Sequence, residues 1–180
     1  EYTNDEFTEL MKVVGLADSY LRDYHRDRII RSILDAGVSL VVCGNGWQEL
    51  KEEYQEQLNI VGDGGLDIED NVKLISKSRI IINIFTSIKN GSHERIFTAM
   101  RNCCICFTDG NKYLEENFCD GENIVLYDID NIDKIPDKIK WILNNPDKAK
   151  IIAENGYRTA CNEYEDKHTA RQVLDIMGLE

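Results

Sequence analysis

At 180 residues, 42% hydrophobic and 30% charged, the chain is long enough for one buried core and too short for most two-domain enzymes. Its 21 basic and 33 acidic side chains leave a net charge of −12, which disfavours phosphate backbones and anionic lipid as partners. No apolar run approaches the roughly 20 residues of a membrane span, and no charged-then-apolar leader opens the chain. The first residue is Glu1 and not Met, so a fragment of a longer protein is expected.

Phe7, Leu10, Met11 and Val14 follow helical spacing, which predicts a helix over residues 5–14. A second is expected from Asp18 to Ala36, with Gly37 as its stop. The period then changes. Val38–Cys43 is a β-branched run ending in Gly44-Asn45-Gly46, which reads as a buried strand and a tight turn. A helix over Trp47–Gln57 precedes a strand over Leu58–Val61, which ends in Gly62-Asp63-Gly64-Gly65. A short helix over Asp70–Ser78 leads to Arg79–Phe85, the strongest strand in the chain. After a polar loop over Thr86–Gly91 come a helix over Ser92–Asn102 and a strand over Cys103–Thr108. A helix over Lys112–Phe118 and a strand over Ile124–Tyr127 follow. Everything beyond about Asn131 is expected to be helical, with breaks near Asn144–Pro146 and Tyr164–Lys167.

Apolar strands alternating with helices predict a single α/β domain over residues 1–180: a Rossmann-like, doubly wound parallel sheet of five to six strands, helices on both faces and extra helices at both ends. Ligands in such folds bind beyond the carboxyl ends of the strands. That places candidate loops at Gly44–Gly46, Gly62–Gly65, Thr86–Arg95 and Thr108–Asn111.

Gly44-Asn45-Gly46 lacks the third glycine of a dinucleotide fingerprint, because position 49 is Glu49. It is either a turn needing positive φ or a loop that lets a ligand approach the backbone. Asn90-Gly91-Ser92-His93-Glu94-Arg95 carries more information, because it follows the strongest strand and opens a helix. A helix start favours anions, Gly91 leaves room for one, and Arg95 is a bidentate phosphate clamp in type. Glu94 repels phosphate and suits a sugar hydroxyl better. Against these stand plain roles: capping for Ser92 and Glu94, a loop imidazole for His93 and a surface ion pair for Arg95.

The chain has no Gly-x-Ser-x-Gly elbow and no Gly-x4-Gly-Lys-Ser/Thr loop, and its only histidines are His25, His93 and His168. His25 reads as solvated, and His168 as the start of the last helix. Cys43, Cys103, Cys104 and Cys106 read as small core side chains of a reducing compartment, so no metal and a cytoplasmic location are expected.

Taken in order, these segments resemble the C-terminal, donor-binding half of a GT-B glycosyltransferase, within the group-1 branch that includes the CgeB-type spore maturation proteins. The resemblance is carried by Val-Val-Cys-Gly-Asn-Gly-Trp (41–47), Arg-Ile-Ile-Ile-Asn-Ile (79–84), Asn-Gly-Ser-His-Glu-Arg-Ile-Phe-Thr-Ala-Met (90–100) and Cys-Phe-Thr-Asp (106–109). Further on it rests on Asp-Gly-Glu-Asn-Ile-Val-Leu-Tyr (120–127), Ile-Leu-Asn-Asn-Pro (142–146), Ala-Glu-Asn-Gly (153–156) and Lys-His-Thr-Ala-Arg (167–171). It implies a nucleoside-diphosphate sugar as substrate, no cofactor, and an N-terminal domain of the same chain that holds the acceptor. It also implies that Asn90–Arg95 meet diphosphate and sugar, with Arg95 and Glu94 in the catalytic roles. Gly44, Asn45 and Gly46, with Asp109, line the nucleotide side. Many group-1 enzymes carry two glutamates eight positions apart here; this chain has Asn90 and Thr98. Either Glu94 serves the sugar or donor is held poorly. A non-catalytic nucleotide-sugar-binding module and a nucleotide-sugar epimerase of the same fold are the alternatives.

Overall fold

The computed structural model describes residues 3–62 and 64–179; Asp63 of the second glycine turn, the terminal Glu1-Tyr2 and Glu180 lie outside it. The first helix, α1 (Asn4–Asp35), is one unbroken element and not two. Gly15 is expected to weaken a helix by about 1 kcal/mol, which is too little to break one with no proline or cap beside it. A capping box starts α1: the Thr3 hydroxyl accepts from the Glu6 amide, and the Glu6 carboxylate accepts from the Thr3 amide at 2.8 Å. Only Ile29, Ile30, Ile33 and Leu34 are buried, so the apolar face of Phe7, Leu10, Met11 and Val14 is exposed. Gly37, at φ +77°, ends the helix by donating its amide to the Leu34 carbonyl.

Five strands follow, joined by helices. They are β1 (Leu40–Cys43), β2 (Leu58–Val61), β3 (Ile80–Asn83), β4 (Ile105–Asp109) and β5 (Val125–Tyr127). The helices are α2 (Gln48–Glu53), α3 (Ile68–Ser76), α4 (Glu94–Arg101), α5 (Lys112–Asn117), α6 (Ile135–Asn144), α7 (Pro146–Glu163) and α8 (Asp166–Met177), with a 3₁₀ turn over Ile129–Lys134. Every ladder is parallel, as the apolar runs require. The ladders fall into two groups, however: β1 with β2, and β3–β4–β5. One continuous sheet was the expectation; here no ladder joins β1 to β3 among the described residues. Side chains bridge the gap, because Leu40 and Ile84 pack against the cores of both groups.

β4 shows why the architecture is doubly wound. All five of its residues are buried. Ile105 and Phe107 face one core with Ile29, Ile33, Ile139 and Ile152, while Cys104 and Cys106 face the other with Ile96, Met100 and Leu114. β5 alternates likewise, Val125 and Tyr127 against Ile124 and Leu126. A period of two with both faces apolar is the signature of a strand covered by helices on both sides.

The cysteines divide. Cys104 and Cys106 are core thiols, pushed well above the ordinary thiol pKa by burial, Cys104 to about 12. Cys43 is half-buried. Cys103 departs from expectation: it is exposed at φ +52°, where the chain turns between α4 and β4. His25 departs too, since its Nδ1 is shielded without a partner among the described residues and its ring packs edge-on to Tyr24 at 5.5 Å.

Gly156 lies inside α7, where a glycine normally costs stability relative to alanine. Here a Cβ would come within 2.7 Å of the Asn123 carbonyl oxygen and 3.4 Å of Met100 Cγ. Gly156→Ala is therefore expected to destabilise the chain by about 1–3 kcal/mol, read from urea melts. A stabilised Gly156→Ala chain would contradict this packing.

Candidate functional site

β3 and β4 are apolar along their length and turn polar together at their carboxyl ends. Asn83 closes β3, Thr108 and Asp109 close β4, and the register sets Asn83 beside Thr108. The neighbouring pair on β5 sets Asp109 beside Tyr127. Asn83, Thr108 and Asp109 are the buried polar side chains of the described residues. Each is bonded, as burial demands. Asn83 Nδ2 donates to Thr108 Oγ1 at 2.9 Å, and the Tyr127 hydroxyl donates to the Asn83 carbonyl at 2.8 Å. The Phe85 amide donates to Asp109 Oδ1 at 2.7 Å. That last bond explains why β3 stops at Asn83 and not at Phe85: the next free amide turns to a carboxylate and leaves the ladder.

Arg95 completes the cluster. Its guanidinium donates to Asn83 Oδ1 at 3.1 Å, reaching back from α4 to the strand end. No carboxylate lies within ion-pair distance of it among the described residues, so the surface ion pair is not its role. The helix start differs from the sequence expectation. α4 begins at Glu94, with His93 as its cap, and not at Ser92. His93 Nδ1 accepts the Arg95 amide at 3.1 Å, and its ring stands edge-on to Phe85 at 4.7 Å. The Ile96 amide goes to the His93 carbonyl. With those amides occupied, the positive feature of this helix start is the Arg95 side chain. Glu94 is exposed, and its Oε1 accepts from the Thr98 hydroxyl at 3.1 Å.

Asn90, Gly91 and Ser92 sit in the loop between β3 and α4. Asn111 anchors that loop by donating to the Gly91 carbonyl at 3.1 Å, while its own Oδ1 caps α5. A side chain at 91 would press within 3.1 Å of Ile88 Cγ2. The turn Gly44-Asn45-Gly46 follows β1, with both glycines at positive φ and open space where a Cβ would stand. No hydrogen bond joins this turn to the Arg95 cluster among the described residues: the turn follows β1, in one ladder, and the loop to Arg95 follows β3, in the other. A cavity of about 370 Å³ lies elsewhere again, between Val125, Trp141, Ile142 and Ile152 at the amino end of β5. No group of three or more His, Cys, Asp or Glu side chains converges on a metal site among the described residues. No described helix is long and apolar enough to cross a membrane.

The sequence matches the family described as "Glycosyl transferase-like" over residues 25–175. The chain belongs to that family. No curated protein matches it. Among solved structures, Anabaena HepE in complex with UDP shares 17% identity at TM-score 0.66, over 82% of this chain and 44% of that one. Sucrose-phosphate synthase from Thermosynechococcus elongatus shares 16% at TM-score 0.69, over 87% and 42%. The C-terminal domain of a group 1 glycosyl transferase, LpcC of Francisella tularensis, shares 21% at TM-score 0.54, over 66% and 60%. The fold is thus the Rossmann-like domain of GT-B glycosyltransferases, and this chain spans under half the length of the first two proteins.

Asn83 and Tyr127 join the site without having been singled out in the sequence, whereas Thr108 and Asn111 bound one of its candidate loops. One signal was present: Asn83 is the lone polar residue within Ile80–Ile84.

Burial raises the pKa of Asp109, opposed by the bonds from the Phe85 amide and the Thr108 hydroxyl. A carboxyl raised in the folded state favours folding below its unfolded pKa and loses that contribution as pH climbs through the folded value. Asp109→Asn keeps an acceptor for Phe85 and removes the buried charge. It is expected to melt above the wild type near about pH 7, with the gap closing toward about pH 3.5 as the native carboxyl is protonated. A gap independent of pH would show that the charge carries no cost.

Proposed function

We propose that the chain is the donor-binding half of a GT-B glycosyltransferase, of the group-1 branch that includes the CgeB-type proteins. It would hold a nucleoside-diphosphate sugar beyond the carboxyl ends of β3 and β4. The observation that carries this reading is Arg95: a guanidinium held at the strand ends by a neutral amide, with no carboxylate paired to it among the described residues. Such a group recognises phosphate by paired hydrogen bonds. HepE, which shares this fold, was crystallised with UDP and with UDP-glucose, which supports a nucleotide-sugar ligand.

In the transfer, the bond from the anomeric carbon to the diphosphate oxygen breaks, and a bond to an acceptor oxygen forms. The electron pair stays with the departing diphosphate, and the acceptor's proton passes to the half that binds it. Charge therefore grows on the phosphate oxygens, where Arg95 meets it, with no resident metal required. Asn90, Gly91, Ser92 and His93 form the loop over the diphosphate, and Glu94 takes a sugar hydroxyl by exchanging its bond to Thr98. Gly44, Asn45 and Gly46, with Asp109, face the nucleotide. The acceptor belongs to an N-terminal domain of the same cytoplasmic protein, and the exposed apolar face of α1 supports a partner surface beside this one. A non-catalytic nucleotide-sugar-binding module is favoured by one observation only, the uncharged Asn90 and Thr98.

Calorimetry with UDP tests the clamp. Arg95→Ala is expected to weaken binding by roughly 30-fold, the worth of one charge-assisted contact partly shielded from water. Arg95→Lys should restore part of it. Glu94→Gln should leave UDP binding equal or tighter and weaken the sugar nucleotide. Equal UDP affinity for wild type and Arg95→Ala would move the phosphate site elsewhere. Transfer by the 180-residue chain alone would refute the divided labour, whereas transfer only with the acceptor half would reject the non-catalytic module.

A further inference from the structure

We propose that Asn83 is the positioning residue of this site: it aims the Arg95 guanidinium through a neutral acceptor and so leaves its whole charge available to an anionic ligand. The proposal rests on the reading of Arg95 as a diphosphate clamp.

The donor and acceptor inventory sets the direction of every bond. A guanidinium has only donors, so the amide atom facing Arg95 must be the Asn83 oxygen. The Asn83 nitrogen then faces Thr108 Oγ1 at 2.9 Å, and that hydroxyl oxygen must accept. The hydroxyl proton is left for Asp109, whose Oδ1 and carbonyl oxygen both lie at 3.4 Å. Donors thus run one way, from Arg95 through Asn83 and Thr108 to Asp109. Reversing the amide would set two donors against each other at Arg95, while Thr108, able to donate or accept, would tolerate either atom. The amide has one orientation that satisfies its neighbours.

Asn83 is also immobile. It is 0% exposed, and the Tyr127 hydroxyl holds its backbone carbonyl at 2.8 Å. Arg95 by contrast lies on an exposed helix position, where a long side chain samples many rotamers. A fixed acceptor at its tip restricts those rotamers before a ligand arrives, which lowers the ordering cost of binding. A carboxylate at position 83 would aim the guanidinium as well, but would pair with it and cancel the field a phosphate needs. The carboxylate of this cluster, Asp109, reaches Arg95 only through two neutral side chains.

A double-mutant cycle on the 180-residue chain, with UDP as probe, separates positioning from structure. Asn83→Leu, which keeps the branched heavy-atom shape, is bulkier and cannot accept, is expected to weaken UDP binding by about tenfold, as loss of a partner behind a binding group does elsewhere. In the Arg95→Ala background the same change should cost nothing further. Thr108→Val, which removes the bond to the amide nitrogen, should weaken binding less, and again only while Arg95 is present. Wild-type affinity in Asn83→Leu, or equal losses with and without Arg95, overturns the proposal. If Asn83→Leu does not fold, the same two outcomes are read from Thr108→Val. Should Arg95→Ala itself bind like wild type, or the wild-type chain bind no UDP, the reading of the site fails instead.

Discussion

Burial of β4 on both faces is the constraint from which the site follows. A strand enclosed by helices on two sides can carry no unpaired polar group along its length, because each would lose its hydrogen bonds to water. From Ile105 to Phe107 it is accordingly apolar. Polar side chains appear only at its carboxyl end, where Thr108 and Asp109, still buried, find hydrogen-bond partners in Asn83 and the Phe85 amide. The same enclosure keeps water from these bonds, so each is stronger than it would be on the surface. The chemistry is concentrated at one end of the sheet because the core excludes it elsewhere.

Each contact of that end depends on another. Asp109 takes the Phe85 amide and thereby draws the chain out of the β3 ladder into the loop before α4. His93 caps that helix while its ring leans on Phe85, so the loop and the helix start are held by one aromatic contact. Asn111 closes the loop from the far side. The result is a rigid frame beneath the exposed Arg95 side chain, built mainly from groups that carry no charge.

Most of the fold was legible in the residues, since apolar runs of four to six between helical patterns leave few alternatives to a parallel sheet. The errors have physical causes. The helices expected over 5–14 and Asp18–Ala36 are one, because the exposed glycine between them, Gly15, is too weak to end a helix. Cys103 belongs to an apolar run by composition, yet the turn out of α4 sets it at positive φ and faces it to solvent. The division into two ladders depends on strand spacing, which no single sequence encodes. At the site, Arg95 and Asp109 stood out as charges in loops, and the structure brings both to one cluster. The glycines of the first turn could not be assigned to it, because their partners are long-range. Asn83 was visible as a polar break in an apolar strand, but its bond to Arg95 spans twelve residues and a helix start.

The gap between the two ladders has a mechanical meaning. Inside β3–β4–β5, strands are locked in register by hydrogen bonds, and a shift of one residue would turn every side chain to the wrong face. Between β1 and β3 the contact is made by Leu40, Ile84 and their aliphatic neighbours, whose packing holds no directional bond that a small shift would break. The separation between the Gly44–Gly46 turn and the Arg95 guanidinium is therefore the compliant dimension of this domain, whereas the spacing among Asn83, Thr108 and Asp109 is its stiff one.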